Sequence, residues 1–329
     1  MPFTSALASN ASRSYQIAYT VLIGIDLVFV LPFTALAFIK CKYWRDPSRE
    51  FVNWLKAALV LFAMLVAFSQ FLRRASVIIE FLLTSPRIRT LSLLFSQNTL
   101  KTYEIYSDVH HWHIVCAQYH VGYLADFSRT TSAAAVMVLL LTLGPGIHRA
   151  ISGVTSTFDR ILRYVTYALA AVVIMLAFVY YGLSVDFQEN YTNNIGYVTN
   201  RPGGAERVDT INQLMATTSI ILWAASLVIT GLSIYTFIQR KNSSLKNVSI
   251  LYLAASLLNI ISSTWNFTYA IEWLLQWDVR SGQEPYVMLL SIILGWWTRG
   301  ILLILSYFVA NKRVESGGIW SSTKSFRSV

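Results

Sequence analysis

The sequence predicts an all-α, polytopic membrane protein with seven transmembrane helices. Three observations carry that prediction. Seven stretches of 17–28 mostly apolar residues recur along the chain, and about 20 suffice to span a bilayer. Charged residues make up only 13% of the chain, against 55% hydrophobic and 14% aromatic; a soluble domain carries about 25%. Mean hydropathy is +0.51. Finally, the Lys and Arg residues cluster in alternate connections, which is the positive-inside pattern. The net charge of +10 therefore belongs to membrane loops, and no nucleic-acid partner is expected.

The 329 residues form one membrane domain. Residues 1–15 are Ser- and Ala-rich without a basic leader, and are expected as a lumenal segment ahead of a first span, Gln16–Ile39, that serves as the insertion signal. Lys40, Lys42, Arg45 and Arg49 follow it, then the second span, Val52–Leu72. Residues 73–130 are too long for a simple loop and too polar for a span. They are expected as a lumenal or interfacial extension, with Val77–Leu83 continuing the second helix and Trp112–Phe127 leading into the third span. Taken as an eighth span, Trp112–Phe127 would put the basic tail on the wrong side. The third span is Thr131–Ile147, ended or kinked by Gly144-Pro145-Gly146. Arg149, Arg160 and Arg163 separate it from Tyr164–Val185. Ile211–Ile238 and Val248–Leu275 flank Arg240, Lys241 and Lys246, and Tyr286–Ala310 precedes a cytosolic tail, 311–329, with Lys312, Arg313, Lys324 and Arg327.

All four basic clusters share one side if the N-terminus is lumenal or extracellular and the C-terminus cytosolic. The opposite segments carry only Arg13, Arg201, Arg207 and Arg280. The sequons at Asn10 and Asn190 fall on that opposite side and are candidates for glycosylation. Cys41 and Cys116 lie on opposite faces, so no disulfide is expected.

The candidate chemistry begins with Arg299, within Gly295-Trp296-Trp297-Thr298-Arg299-Gly300 of the last span. A charge at that depth costs roughly 2.5 kcal/mol or more and marks a functional site by default. Asp26 is the obvious partner: the two lie ten and thirteen residues into neighbouring spans. Such a pair either fixes helix register or orients a substrate and handles protons. Trp296 and Trp297 flank the Arg and suit stacking on it. Glu80, Asp126, Asp186 and Glu272 gather at the lumenal mouth. Trp265, Tyr269 and Glu272 share a face of the sixth helix, with Asn266 beside them; an acid among aromatics in an apolar cavity suits proton donation. An interfacial aromatic belt is the plainer explanation. Tyr180, Tyr181 and Trp223 join these rings in a lining suited to a flat lipophilic ligand or a cation. His113, Cys116 and His120, with His110 and His111 nearby, have helical spacing for a metal, but solvated interfacial histidines explain them as well, and no metal or other cofactor is expected.

Several classes are disfavoured. Lys56 is the only lysine near a span core and the seventh span has none, which argues against a retinal Schiff base. The chain lacks Asp-Arg-Tyr after the third span, Asn-Pro-x-x-Tyr in the seventh, a Gly-rich phosphate loop, His-Glu-x-x-His and paired Asp-rich motifs.

Short loops, a Trp-rich last helix with a mid-helix Arg, and a basic tail containing Gly317-Gly318-Ile319-Trp320 resemble the heptahelical proteins of filamentous fungi. Some of those are receptor-like. Others are integral-membrane terpene cyclases that close a prenyl epoxide by acid catalysis in secondary metabolism. The resemblance is one of architecture and places no family catalytic residue at a numbered position. It implies a membrane enzyme on a lipophilic substrate, with Glu272 or Asp26 as the acid, Asp186 and Asp126 in reserve, and Arg299, Trp265, Asn266, Tyr269, Trp296 and Trp297 holding the substrate. The alternatives are a seven-helix receptor, for which a G protein would be a partner, and a transporter or structural membrane protein. Endoplasmic reticulum and plasma membrane both fit.

Overall fold

The computed structural model describes residues 2–41, 50–84, 97–152, 156–189, 204–241, 245–275 and 285–311. Every element among them is helical: α1 (Pro2–Lys40), α2 (Phe51–Thr84), α3 (Gln97–Ser152), α4 (Thr157–Phe187), α5 (Gly204–Arg240), α6 (Lys246–Tyr269, running into a π-helical turn at Ala270–Leu274) and α7 (Pro285–Leu290, a π-helical segment Ser291–Trp297, then Thr298–Asn311). Seven of these are long and apolar enough to cross a bilayer. Their outward side chains are aliphatic and aromatic, among them Val28, Met175, Phe178 and Ile238. The chain is that of an integral, multi-pass membrane protein.

Cross-helix contacts fix an up-and-down order. Gln70 near the far end of the second span donates to the Thr20 carbonyl at the start of the first (2.9 Å). Glu50, just before α2, pairs with Arg163 near the start of α4 (3.3 Å) and accepts from Tyr167. Asp186 at the end of α4 meets Arg207 at the start of α5 (2.9 Å). The Trp223 ring of α5 stacks on Phe267 of α6, with centroids 4.6 Å apart. Trp297 Nε1 donates to the Leu22 carbonyl (3.3 Å), which returns α7 to α1.

α3 is the central strut. Its membrane stretch is 78% buried, against 22% for α1 and α5. The run Thr130-Thr131-Ser132-Ala133-Ala134-Ala135 explains why: small side chains let neighbouring backbones approach, which is how helices pack where lipid is as apolar as Leu. Here the structure departs from the sequence reading. The apolar stretch of α3 begins at Tyr119, not Thr131, so Asp126 and Arg129 lie within it. The helix also runs through Gly144-Pro145-Gly146 to Ser152. Pro145 lacks the N–H that would bond the Leu141 carbonyl, and a neighbouring helix braces the turn: the fully buried Tyr252 donates to the Leu140 carbonyl at 3.1 Å. Residues 73–130 divide between the end of α2 and the first turns of α3, with 85–96 outside the described residues. Residues 2–15 are the first turns of α1.

α4 starts on a capping box, Ser156 accepting from Phe158 N and Asp159 reaching back to Ser156 N. Many hydroxyls inside the spans are bonded to their own helices. Thr34, Thr142, Thr166, Ser184, Thr218 and Ser256 each donate to the carbonyl four residues earlier, at 2.7–2.9 Å.

Candidate functional site

The π-helical segment of α7 sets the site. A π turn carries one residue more than an α turn, so side chains after it are swung by about 100° per extra residue relative to an unbroken helix. It also alters the carbonyl ladder, and the neighbours respond. Ser262 Oγ donates to the Gly295 carbonyl (3.1 Å), Thr298 Oγ1 to the Leu294 carbonyl (2.6 Å), and Trp265 Nε1 to Ser291 Oγ (3.1 Å). The buried Gly295 packs beside Trp265, whose ring would stand at an ordinary contact distance, 3.7 Å, from an added Cβ.

With that phase, Arg299 turns into the bundle towards α3. It is 8% exposed, and its Nη1 donates to the Arg129 carbonyl at 3.3 Å. Arg129 itself pairs with Asp126 (3.1 Å), and the Tyr180 hydroxyl donates to the other Asp126 oxygen (3.2 Å). Arg299, Arg129 and Tyr180 border a cavity of about 60 Å³ walled by α3, α4, α5, α6 and α7. Arg129, Tyr180, Asn259, Asn266, Tyr269 and Arg299 supply most of its polar side, and Met137, Met215 and Leu222 are on its apolar side. That volume holds roughly four waters, or one small functional group. Among the described residues this cluster brings two guanidiniums, Arg129 and Arg299, together with the Asp126 carboxylate.

No protein-family model, curated protein or solved structure matches this chain. The geometry therefore stands on its own.

The structure does not join Asp26 to Arg299. Among the described residues no ion pair within 4.0 Å links them. Asp26 is 7% exposed and sits against the next residue, Gly300: an added Gly300 Cβ would lie 2.7 Å from Asp26 Oδ1 and 3.6 Å from the Phe62 ring. Its Oδ2 has no hydrogen-bond partner among the described residues. Matching depth was not enough, because consecutive helix positions point about 100° apart and the α1 side of α7 belongs to Gly300.

The other predicted residues divide. Asn266 and Tyr269 line the cavity beside Arg299. Trp265 and Trp297 lock α7 to α6 and α1 through their indole N–H groups, and Trp296 packs against the core. Glu272 sits half-buried in the π turn of α6, away from the cavity wall. Asp186 is held at the bundle end by Arg207. The side chains of Asn10, His110, His111, His113 and Cys116, together with Asn190 and tail residues 312–329, lie outside the described residues.

Arg129, Asn259 and Ser263 were missed as lining residues. The signal for Arg129 was present: Asp126 and Arg129 are spaced i, i+3 directly before the small-residue run, a charged pair entering a tightly packed helix.

Proposed function

We propose that the protein is a membrane enzyme acting on a lipophilic small molecule whose oxygen-bearing end enters the cavity between α3 and α7. The observation that carries this reading is that five helices turn polar side chains, two of them guanidiniums, onto one small cavity within their spans. Ionisable groups at that depth are costly, and they mark ligand or proton pathways. A cavity this small seats a head group, and the apolar remainder of the ligand lies outside it.

The most concrete chemistry is acid-catalysed cyclisation of a prenyl or terpenoid epoxide. A proton reaches the epoxide oxygen as the C–O bond breaks, an alkene closes a new C–C bond onto the cation, and a proton is then lost from carbon. The reaction is an isomerisation with no net redox change. Of the four candidate acids, Asp126 is the one linked to the cavity, through the Tyr180 hydroxyl and Arg129; it is ionised against Arg129 and must take up the proton it delivers as the substrate enters. Asp26 is shut off against Gly300, Glu272 is off the wall, and neither Asp186 nor its partner Arg207 lines the cavity. We place the start of α1 on the lumenal or extracellular side of the endoplasmic reticulum or plasma membrane, supported by the Lys/Arg bias of the connections.

One observation favours a second reading. Among the described residues no carboxyl group lines the cavity directly, which suits holding a ligand as a receptor would, with a G protein then as partner. A microsomal assay separates the two. Wild type expressed in yeast and given a panel of prenylated phenol epoxides is expected to release cyclised product. Asp126→Asn or Tyr180→Phe should reduce it about 100-fold or more, the usual weight of a general acid, while Asp26→Asn and Glu272→Gln leave it largely intact. No turnover over the panel by well-expressed protein would move the assignment to the receptor.

A further inference from the structure

We infer that the cavity selects a ligand bearing a single carboxylate, seated on Arg299, and hence that the natural ligand is a lipophilic acid. This rests on the reading that the cavity takes the polar end of a lipophilic molecule. Arg299 is more than nine-tenths buried and opens on the cavity. Its one hydrogen bond among the described residues goes to a backbone carbonyl, and no carboxylate lies within 4.0 Å of it there. Its planar fork of donors is shaped for bidentate capture of a carboxylate. A buried, uncompensated charge is costly, and an incoming anion removes that cost.

Among the described residues Asp126 pairs with Arg129 and no carboxylate pairs with Arg299, and the single Arg299 charge suits a monoanion better than a phosphate dianion. The small size, about 60 Å³, suits a carboxylate head group. The walls agree too: Asn266 offers an amide donor on the polar side, while Met215 and Leu222 present apolar surface to the adjoining methylenes. The Asp26 carboxyl cannot substitute for the ligand, because it faces Gly300 on the other side of α7.

The test uses the full chain in nanodiscs and tritiated oleate as the probe, competed by methyl oleate, oleyl alcohol, sodium acetate and chloride, with empty nanodiscs subtracted. Oleate is expected to bind at least about tenfold more tightly than the ester or the alcohol, the scale of one charge-assisted, bidentate contact. Arg299→Gln should abolish that preference, and Arg299→Lys should keep part of it. Equal binding of acid and ester would overturn the inference, and this comparison needs no variant to fold. Retention of the preference by Arg299→Gln would overturn it as well. Competition by acetate or chloride as strong as by oleate would assign the site to a small soluble anion and sink the lipophilic acid. Epoxide turnover is read separately: turnover without acid preference would sink this inference and keep the cyclase, and acid preference without turnover would do the reverse.

Discussion

Gly144→Ala tests how α3 is braced where Pro145 interrupts its hydrogen bonds. The new methyl would stand 3.0 Å from the Tyr252 hydroxyl oxygen and 3.4 and 3.5 Å from ring atoms Cε1 and Cζ. Tyr252 is fully buried and tied to the Leu140 carbonyl at 3.1 Å, so it yields by a few tenths of an ångström only by straining that bond. Overpacking of this kind costs about 1–3 kcal/mol, and the better helix propensity of Ala offsets roughly 1 kcal/mol of it. The net expectation is a loss of about 0–2 kcal/mol. Tyr252→Phe removes the interhelical hydrogen bond, for about 0.6–1.7 kcal/mol in a bilayer, and leaves the methyl only ordinary ring contacts. In that background Gly144→Ala should be neutral or stabilising, by up to about 1 kcal/mol. The two changes should therefore couple by about 1–3 kcal/mol. Thermal or SDS-driven unfolding of the four proteins in one detergent measures this. Additivity within about 0.5 kcal/mol would refute the claim that Gly144 is there to admit Tyr252.

Two further outcomes are expected. Gly300→Ala, whose Cβ would approach Asp26 Oδ1 to 2.7 Å, should lower the melting temperature, and Asp26→Ala in the same chain should restore most of the loss; size-exclusion after heating reads both. Arg207→Ala should change stability by less than about 1 kcal/mol and leave ligand binding unaltered, because both side chains of the Arg207–Asp186 pair are more than 40% exposed.

The seven spans were legible in the sequence because a bilayer demands long apolar runs whatever packs against them. The inner and outer faces were not. Val28 is 68% exposed and Val30 1%, yet both are the same residue type in the same run, since lipid and protein interior reward the same side chains. Arg129 was assigned to the extension because the segment 73–130 is too polar as a whole for a span. In a bundle the small residues Thr130 to Ser132 are interface, and the helix they belong to is the most buried of the spans. The Arg299 side chain was placed inside the last span but paired with Asp26, which it does not meet among the described residues, because nothing in Ser291–Trp297 announces a π segment. The helix continues through Pro145, and Tyr252, more than a hundred residues later, packs against that turn at Gly144 and Leu140.

The self-bonded hydroxyls bear on how the chain enters a membrane. A Thr or Ser that donates to its own helix brings no unmet donor to the translocon, so those spans can partition one at a time before any partner exists. Asp26 and Arg299 have no such local remedy. Thirteen Leu, Ile, Val and Phe side chains between Thr20 and Lys40 favour insertion of α1 by roughly 4–8 kcal/mol against about 2.5–3.5 for a central Asp, so α1 can go in alone. The membrane stretch of α7 has ten such residues, two glycines and an Arg, and is close to balance. Being the last of the seven to emerge, it meets the Arg129 carbonyl and the polar wall already in the bilayer. Biogenesis of the site is thereby ordered by the chain itself, with the costliest charge delivered after its surroundings.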